Sequence, residues 1–282
     1  HVVMYPARGE IYDRNGEFLA QSRECYDLMV VYRELPKSGF DTTRLCRMLD
    51  ISRDKLEREL NSARYAPRAA RRIVSYVPKE TKLLLDEYKI PGFYTVYRTV
   101  RQYPRKVGGN LLGYVSEVDQ RFIERHEGEY QSGDYAGKTG IEAAREKELR
   151  GEKGYNIWLR NSRNRIESRY HDGEFDKEAV PGDDITTTID ARLQNYGQML
   201  MANKVGSLVA IEPSTGEILT MVSSPGIDVE MLADIGRHYS EISTDPYKPM
   251  FNRTVQASYP PGSVFKLVNG LIGLQEGVIV PG

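Results

Sequence analysis

The sequence predicts an α+β fold made of two successive domains. Short runs of alternating apolar and polar residues, typical of strands, are interleaved with helical patterns that begin at a capping residue or follow a proline. A chain of 282 residues is long enough for each of two domains to have its own core. The composition, 40 % hydrophobic and 28 % charged, is that of an ordinary globular protein.

Charge and residue counts exclude several classes of protein. With 39 basic and 40 acidic residues the net charge is −1, so overall charge selects neither a nucleic acid nor a membrane partner. Cys25 and Cys46 lack metal-ligand spacing, and the histidines are scattered, so we expect no metal site. Two local basic clusters, Arg64–Arg72 and Arg98–Lys106, are interpreted as solvated faces. No apolar run of about 18 residues is present, as a membrane-spanning helix requires.

The first part of the chain predicts strands around a turn and then a mixed lobe. Two strand-like runs between Arg8 and Ala20 flank the turn Asp13-Arg-Asn-Gly16, and a strand continues over Cys25 to Val31. The region from about 33 to 135 is interpreted as a lobe inserted into this domain. Its predicted elements are helical from Asp41 to about Asn61, extended from Ile73 to Val77, helical from Glu80 to Tyr88 and extended from Phe93 to Val100.

The second part is predicted to begin at Asp190, a good N-cap for a helix through Lys204. Strands over Ser207–Ile211 and Glu217–Val222 follow, joined by a hairpin turn. We therefore assign residues 1–190 to the first domain and 191–282 to the second. Asn252-Arg-Thr254 spells a glycosylation sequon, to which we give no functional meaning. The helix residues expected to face the core are Leu193, Tyr196 and Leu200.

The stretch Ser258-Tyr-Pro-Pro-Gly-Ser-Val-Phe-Lys266 combines a rigid entry with a serine and a lysine on one helix face. Its two prolines fix φ, and the glycine permits a sharp turn. The residues as far as Leu274 are apolar almost all the way round, which predicts a buried helix. Ser263 would then lie in the first turn, beside free backbone N–H groups. Lys266 follows three residues later, and a desolvated lysine can act as the base for the serine.

A second S-x-x-K, Ser52 to Lys55, is interpreted as structural. It lies in an amphipathic, highly charged pattern in which Ser52 is the expected N-cap. A lysine on a solvated helix keeps its ordinary pKa and cannot serve as a base for a neighbouring serine.

Asn252 to Lys266 resembles the active-site entry of class B penicillin-binding proteins. The Tyr-Pro-Pro-Gly-Ser sequence is more similar to the elongation (rod-shape) branch than to the division branch. The R-G-x-I-x-D-R-N-G pattern of Arg8 to Gly16 resembles the opening of the same family's non-catalytic module. The resemblance covers the whole chain. It implies an N-terminal pedestal followed by the first part of a transpeptidase domain, with Ser263 as acyl nucleophile and Lys266 as proton acceptor.

Lys138-Thr-Gly140 and Ser162-Arg-Asn164 spell that family's third and second catalytic motifs, but both are interpreted as structural. Thr139 and Glu142 predict a capping box that opens a helix over Ile141–Leu149, whereas a working K-T-G lies on a strand edge. Ser162-Arg-Asn164 lies in a basic turn between strand-like runs. Both copies also precede the candidate nucleophile, which reverses the family's order.

The resemblance implies a peptidoglycan D,D-transpeptidase that acts on D-Ala-D-Ala stem peptides, is acylated by β-lactams and needs no metal or organic cofactor. It implies a single-pass membrane protein with its domains in the periplasm and no nucleic-acid partner. No S-x-N or K-T-G follows Ser263 before Gly282. We therefore expect an anchor-deleted, C-terminally truncated form, inactive by itself.

Two alternatives remain open. The work of this polypeptide could be binding, with residues 1–190 docking onto the elongation machinery, including its membrane glycosyltransferase and other rod-complex proteins. A serine β-lactamase shares the S-x-x-K motif but gives no reason for the long N-terminal domain. The decisive observation is whether the gene continues past Gly282 with S-x-N and then K-T-G.

Overall fold

The structure, a computed structural model, describes residues 2–126, 128–160 and 166–280 and confirms the α+β fold. Short 3₁₀ turns occur at Tyr32–Glu34, Tyr170–Gly173 and Gly262–Phe265. The strands are β1 (Val2–Met4), β2 (Ile11–Tyr12), β3 (Phe18–Val31), β4 (Ala70–Val77), β5 (Phe93–Gln102), β6 (Val115–Glu117), β7 (Tyr135–Gly137), β8 (Gly154–Asn156), β9 (Trp158–Arg160), β10 (Ile166–Arg169), β11 (Ile185–Thr186), β12 (Gly206–Ile211) and β13 (Ile218–Ser224). The helices are α1 (Thr42–Leu49), α2 (Arg53–Arg64), α3 (Lys79–Tyr88), α4 (Gly109–Leu112), α5 (Gln120–Arg125), α6 (Gly140–Ala144), α7 (Glu146–Leu149), α8 (Ala191–Leu200), α9 (Val229–Leu232), α10 (Ile235–Thr244) and α11 (Lys266–Gln275).

The 14-residue strand β3 is the spine of the first part of the chain. Its beginning pairs with β2, its length from Gln21 to Val30 pairs with β5, and its end pairs with β4, always antiparallel. β11 adds to β2 in parallel. β3 therefore pairs with β2 at its start and with β4 and β5 of the lobe further along, so one strand links the beginning of the chain to the lobe.

The lobe has a hydrophobic core of its own. The sheet of β3, β4 and β5 packs against α1, α2 and α3, and every buried residue of this core lies between Leu28 and Leu85. Its buried members are Leu28, Val30, Leu45, Cys46, Leu56, Ala63, Ile73, Val77 and Leu85.

A larger core combines residues from both sides of position 190. From the first part come Ile11, Leu19, Ala20, Tyr103, Val107, Leu112, Leu149 and Ile189. From the second part come Ala191, Ile227, Val229, Leu232, Ile235 and Ile242. The two parts are therefore packed against each other, and the domain boundary at residue 190 stays a prediction.

The second S-x-x-K opens a surface helix, as predicted. The continuous helical pattern after Asp41 is two helices, α1 and α2, separated by Asp50 in the left-handed conformation (φ 51°). Asp41 accepts a hydrogen bond from the N–H of Arg44 at 2.9 Å, and the Ser52 hydroxyl accepts one from the N–H of Lys55 at 3.2 Å. Ser52 is thus the N-cap of α2 and is confirmed as structural.

The predicted capping box of Thr139 and Glu142 is wrong. Thr139 occupies the N-cap position of α6, but its side chain accepts no capping hydrogen bond. The Glu142 carboxylate is fully buried and accepts from Arg8 and Arg101, at 2.6 Å each. Because both of its oxygens are held by guanidinium groups, Glu142 is not available to cap the helix. The helix also stops at Arg145 (φ −116°, ψ 25°), so α6 and α7 are separate.

The second basic cluster is only partly a solvated face: Arg105 and Lys106 are exposed, as predicted, but Arg98 and Arg101 are not. Arg101 is buried, and its Nη1 donates to the Gly9 carbonyl at 2.7 Å. Arg98 donates to Asp27 at 2.7 Å, and its guanidinium lies 4.1 Å from the centroid of the Tyr135 ring. Spacing along the chain did not reveal these distant acceptors.

The Asp190 cap is confirmed, but the predicted core face of the helix that it opens is partly wrong. Asp190 accepts hydrogen bonds from the N–H groups of Arg192 and Leu193. Leu193 is half-buried, whereas Tyr196 and Leu200 are 56 % and 45 % exposed. The buried face consists of Ala191, Gln194 and Gly197.

Gln194 explains this choice of face. Its amide oxygen accepts from the Thr220 hydroxyl at 2.7 Å and from the Met221 N–H at 2.8 Å, and its amide nitrogen donates to the Met221 carbonyl. A Cβ on Gly197 would lie 3.0 Å from a methyl carbon of Val222. α8 therefore lies against β13 through a polar and a small residue, which an apolar-stripe argument does not predict. Within the described residues, no helix is both long and apolar enough to cross a membrane.

Candidate active site

Ser263 and Lys266 lie on consecutive helical elements. Gly262–Phe265 form a 3₁₀ turn that continues directly into α11. The backbone N–H of Lys266 donates to the carbonyl oxygen of Ser263. One helical turn therefore separates the serine from the lysine, which is the relation that the S-x-x-K spacing predicts.

The prediction that this helix is buried is wrong within the described chain. α11 has no buried residue, and Val264, Leu267 and Leu271 are 74 %, 75 % and 67 % exposed. No layer of the described residues covers its apolar surface. Lys266 is exposed as well, so the desolvation that would prepare it to act as a base is not supplied here.

The end of α11 is defined by its own sequence. Gly277 has φ of 70°, its N–H donates to the Leu274 carbonyl at 3.2 Å, and the N–H of Val278 donates to the Gly273 carbonyl at 2.9 Å. This pair of bonds is a Schellman motif with glycine at its left-handed position. The stop at Gly277 depends on local hydrogen bonds alone.

The segment just before the serine is anchored by a motif whose role the sequence analysis missed. Asn252 Oδ1 accepts from the Thr254 N–H at 3.1 Å and from its hydroxyl at 2.5 Å. The side chain of Gln256 accepts from the Asn252 N–H at 2.8 Å. These bonds make a compact turn of the residues that spell a glycosylation sequon. The signal that could have revealed it is the turn-forming habit of asparagine, which bonds its own backbone two residues on.

The K-T-G copy lies in the first part of the chain, packed on other elements. Lys138 donates its backbone N–H to the Tyr114 carbonyl at 2.9 Å, and its Nζ lies 3.7 Å from the centroid of the Phe122 ring. A Cβ on Gly113 would stand 1.9 Å from the Thr139 carbonyl oxygen, so the two backbones are in close contact. Desolvation by burial lowers the pKa of Lys138. Ser162-Arg-Asn164 lies outside the described residues.

Two family models match nearly the whole chain. The penicillin-binding protein dimerisation domain matches residues 3–187. The chain belongs to the penicillin-binding proteins. The penicillin-binding protein transpeptidase domain matches residues 206–282, the part that carries the S-x-x-K turn.

Curated relatives assign the branch of the family. The chain is 30 % identical to the peptidoglycan D,D-transpeptidase MrdA of Escherichia coli K12, over 99 % of its own length and 45 % of that protein. It is 29 % identical to MrdA of Acinetobacter baumannii, covering 41 % of it, and 27 % identical to penicillin-binding protein 3 of Bacillus subtilis, covering 40 %. This penicillin-binding protein is thus of class B and MrdA-like, as the motifs indicated, and it spans about half the length of these relatives.

Solved structures agree with the fold. A complex between PBP2 and MreC from Helicobacter pylori contains a chain that matches with a TM-score of 0.73 and 25 % identity, over 99 % of this chain and 52 % of that one. PBP2 alone from the same organism matches with a TM-score of 0.71 and 23 % identity. The architecture is a dimerisation domain followed by the start of a transpeptidase domain.

Proposed function

We propose that this penicillin-binding protein is part of a peptidoglycan D,D-transpeptidase that acts in cell-wall elongation. In that enzyme Ser263 is the nucleophile and Lys266 is its base. The observation that carries the proposal is the Ser263–Lys266 helical turn, which lies within the part of the chain that matches the transpeptidase domain. A lysine one turn from a serine at a helix start is the arrangement that activates the hydroxyl.

The proposed chemistry proceeds in two steps. Lys266 accepts the hydroxyl proton while Ser263 Oγ bonds to the carbonyl carbon of the stem peptide's terminal D-Ala-D-Ala bond. The C–N bond then breaks, Lys266 passes the proton to the leaving nitrogen, and D-alanine is released. An amine of a neighbouring stem attacks the serine ester and gives up a proton to Lys266, which returns it to the Ser263 oxygen as the ester bond breaks. Free N–H groups at the helix start are suited to stabilising the oxyanion, with a second donor expected from a facing strand. Neither step uses a metal or an organic cofactor.

The second S-x-x-K provides a matched control for the test. In a protein with the entire transpeptidase domain, fluorescent penicillin should label the wild type but neither Ser263→Ala nor Lys266→Ala. Ser52→Ala and Lys55→Ala should label at the wild-type rate, because Ser52 only caps α2. Covalent labelling that survives Ser263→Ala, with each variant shown to be folded by circular dichroism, would overturn the assignment.

A second candidate function is docking. We propose that residues 1–190 bind a partner of the elongation machinery on the extracytoplasmic side of the cell membrane, on the basis of the dimerisation-domain match and of the PBP2–MreC complex. A cleft of about 640 Å³ beside β5 is a suitable surface. Its walls include tyrosines and ion pairs such as Lys153–Asp134, so a polypeptide could find both aromatic contacts and hydrogen bonds there. The tyrosines are Tyr5, Tyr76, Tyr97, Tyr130 and Tyr135.

The docking candidate has its own test. An MreC-type protein should bind the wild type in calorimetry, and Tyr97→Ala should weaken that binding about tenfold or more, which is the size expected for loss of an aromatic anchor. Tyr196→Ala removes an exposed tyrosine from the second part of the chain and should have no effect. If the wild type, Tyr97→Ala and Tyr196→Ala bind with equal affinity, the cleft is not the docking surface.

A further inference from the structure

Arg253 is a buried cation without a carboxylate partner among the described residues. It is 8 % exposed, and no salt bridge includes it. A guanidinium removed from water is costly unless hydrogen bonds replace its hydration. The hydrogen bonds that Arg253 donates offset this desolvation cost.

Every hydrogen-bond acceptor of the Arg253 guanidinium among the described residues is a backbone carbonyl oxygen. Nη1 donates to the carbonyls of Pro225, Lys248 and Phe251 at 3.2, 3.4 and 3.4 Å. Nη2 donates to the carbonyl of Tyr247. One side chain thereby ties together residues 247–251 and the residue that follows β13.

The Arg253 backbone is also bonded to β13. Its N–H donates to the Ser223 hydroxyl at 3.0 Å, and that hydroxyl donates to the Phe251 carbonyl at 3.2 Å. We call residues 247–253 the brace loop. The brace loop is thus fixed to β13, the strand that also receives the Gln194 amide.

The connection from the brace loop to the nucleophile is short, and both of its ends are constrained. The Asn252–Gln256 turn is closed by its own side chains, with the Gln256 N–H bonded to the Asn252 carbonyl at 2.9 Å. Four and five residues later, Pro260 and Pro261 fix φ immediately before the Ser263 turn. A displacement of the brace loop is therefore expected to reach Ser263 along the chain.

The first part of the chain holds the brace loop from the other side. Asn110, in α4, donates its amide nitrogen to the Pro249 carbonyl at 2.7 Å and accepts the Ile227 N–H at 3.0 Å. A Cβ on Gly109 would stand 2.1 Å from the Ile227 carbonyl oxygen, so only glycine permits this approach. The segment Gly108-Gly-Asn110 is therefore a contact between the two parts of the chain.

We propose that Arg253 is a positioning residue for Ser263, and that Asn110 sets the brace loop from the dimerisation domain. The proposal rests on the proposed function of Ser263. Arg253 acts through the backbone of residues 247–253, and it touches neither the serine nor the substrate. The contact gives the non-catalytic domain a direct influence on where the nucleophile lies.

The test uses the full-length protein and separates penicillin binding from the acylation step. Misplacement by about 1 Å can cost about 10²-fold in rate, so Arg253→Ala should lower the acylation rate constant 10- to 100-fold. The dissociation constant should stay within about threefold. Arg253→Lys, which cannot reach four carbonyls at once, should be intermediate. Added guanidinium ion should restore part of the rate to Arg253→Ala and not to Arg253→Lys.

Controls separate positioning from folding. Arg237→Ala removes a solvent-exposed arginine of α10, close in sequence, and should acylate normally. Asn110→Ala and Asn110→Asp both lose the donor to Pro249 and should lower the acylation rate constant about tenfold, and they decide the matter if Arg253→Ala does not fold. Unchanged rates in folded Arg253 or Asn110 variants, or no rescue by guanidinium, would overturn the inference alone. Absence of any wild-type adduct on Ser263 would overturn it together with the proposed function.

Discussion

Asp13 shows how one residue joins the two parts of the chain. Its carboxylate is buried, and one oxygen accepts the N–H groups of Asn15 at 2.7 Å and Glu17 at 2.9 Å. The other oxygen accepts the N–H of Ala191, the first residue of α8, at 3.1 Å. Burial opposes ionisation, but these backbone donors outweigh it and lower the pKa of Asp13.

Asp13→Asn should therefore destabilise the protein in a pH-dependent way. Losing a charged acceptor of several N–H groups costs about 2 kcal/mol. Because the pKa is lower in the folded state, the carboxylate contributes its full stabilisation above the unfolded value of about 4. That stabilisation is lost as the pH falls through the folded pKa. Urea unfolding at pH 7 and at pH 3 should show the gap between wild type and variant narrowing at pH 3. The exposed Glu87→Gln is the control, and a gap that widens on acidification would contradict this account.

Glu142 is the residue whose removal should cost most. Arg8 and Arg101 both pair with its carboxylate, and Arg101 Nη2 has no hydrogen-bond partner among the described residues. Glu142→Gln leaves the buried Arg101 guanidinium without a carboxylate partner, whereas Arg8 keeps its ion pair with Glu146, and we expect the loss to cost about 3–5 kcal/mol. Pairing it with Arg101→Met should recover part of the loss. Urea midpoints measure both, with the exposed Glu87→Gln as control, and a loss no larger than that of the control would show that the network is not stabilising.

Asp13 and Glu142 also show which contacts could not be predicted from the sequence. The Asp13 turn was predicted, because aspartate bonds its own backbone nearby. Its bond to Ala191 and the Glu142 pairs were not, since those partners lie 178, 134 and 41 residues away. A local capping pattern was chosen for Glu142 because only local neighbours are visible in a sequence.

At the scale of elements, the K-T-G copy at the start of α6 should be dispensable for acylation. Lys138 contacts Tyr114 and Phe122, both in the first part of the chain. Lys138→Ala should change the penicillin acylation rate of the full-length protein by no more than a few-fold, and lose about 1 kcal/mol of stability with the cation–π contact. A rate loss of about 10²-fold without unfolding, the size seen for a missing oxyanion donor, would make this motif catalytic.

Helix positions were predicted better than helix faces. The predicted caps at Ser52 and Asp190 are confirmed, because capping depends on residues close in sequence. The faces of α8 and α11 depend on what packs against them. Gln194 bonds β13, and the apolar surface of α11 is uncovered, so neither face follows from hydrophobic period alone.

At the scale of the whole molecule, the lobe core and the shared core should separate on truncation. The lobe core lies entirely between Leu28 and Leu85, so a polypeptide of residues 1–190 should keep a cooperative thermal transition. Its midpoint should be lower than that of the 282-residue chain, because Ile227, Leu232 and their neighbours no longer cover Ile11 and Leu19. A scan without a transition would contradict the proposed boundary at residue 190.

The 282-residue polypeptide should not form a penicillin adduct. Ser263 and Lys266 are present but exposed, and no S-x-N or K-T-G follows them in this sequence. Lack of one oxyanion donor costs about 3–4 kcal/mol of transition-state stabilisation, and lack of a facing strand also removes substrate alignment. Intact-mass measurement after incubation with excess penicillin decides the matter, and a stoichiometric adduct on Ser263 would show a more complete site.

The length of β3 gives the molecule a mechanical property. Fourteen residues of extended chain span about 46 Å, and the same strand carries the lobe at one end and follows the Asp13 turn at the other. The start of β3 follows the Asp13 turn, and Asp13 accepts a hydrogen bond from the first residue of α8. The strand can therefore act as a lever that pivots near Asp13. A tilt of about 10° at that pivot moves the far end of the arm by about 8 Å. Whatever pulls on the lobe applies a torque at the point where the two parts of the chain meet.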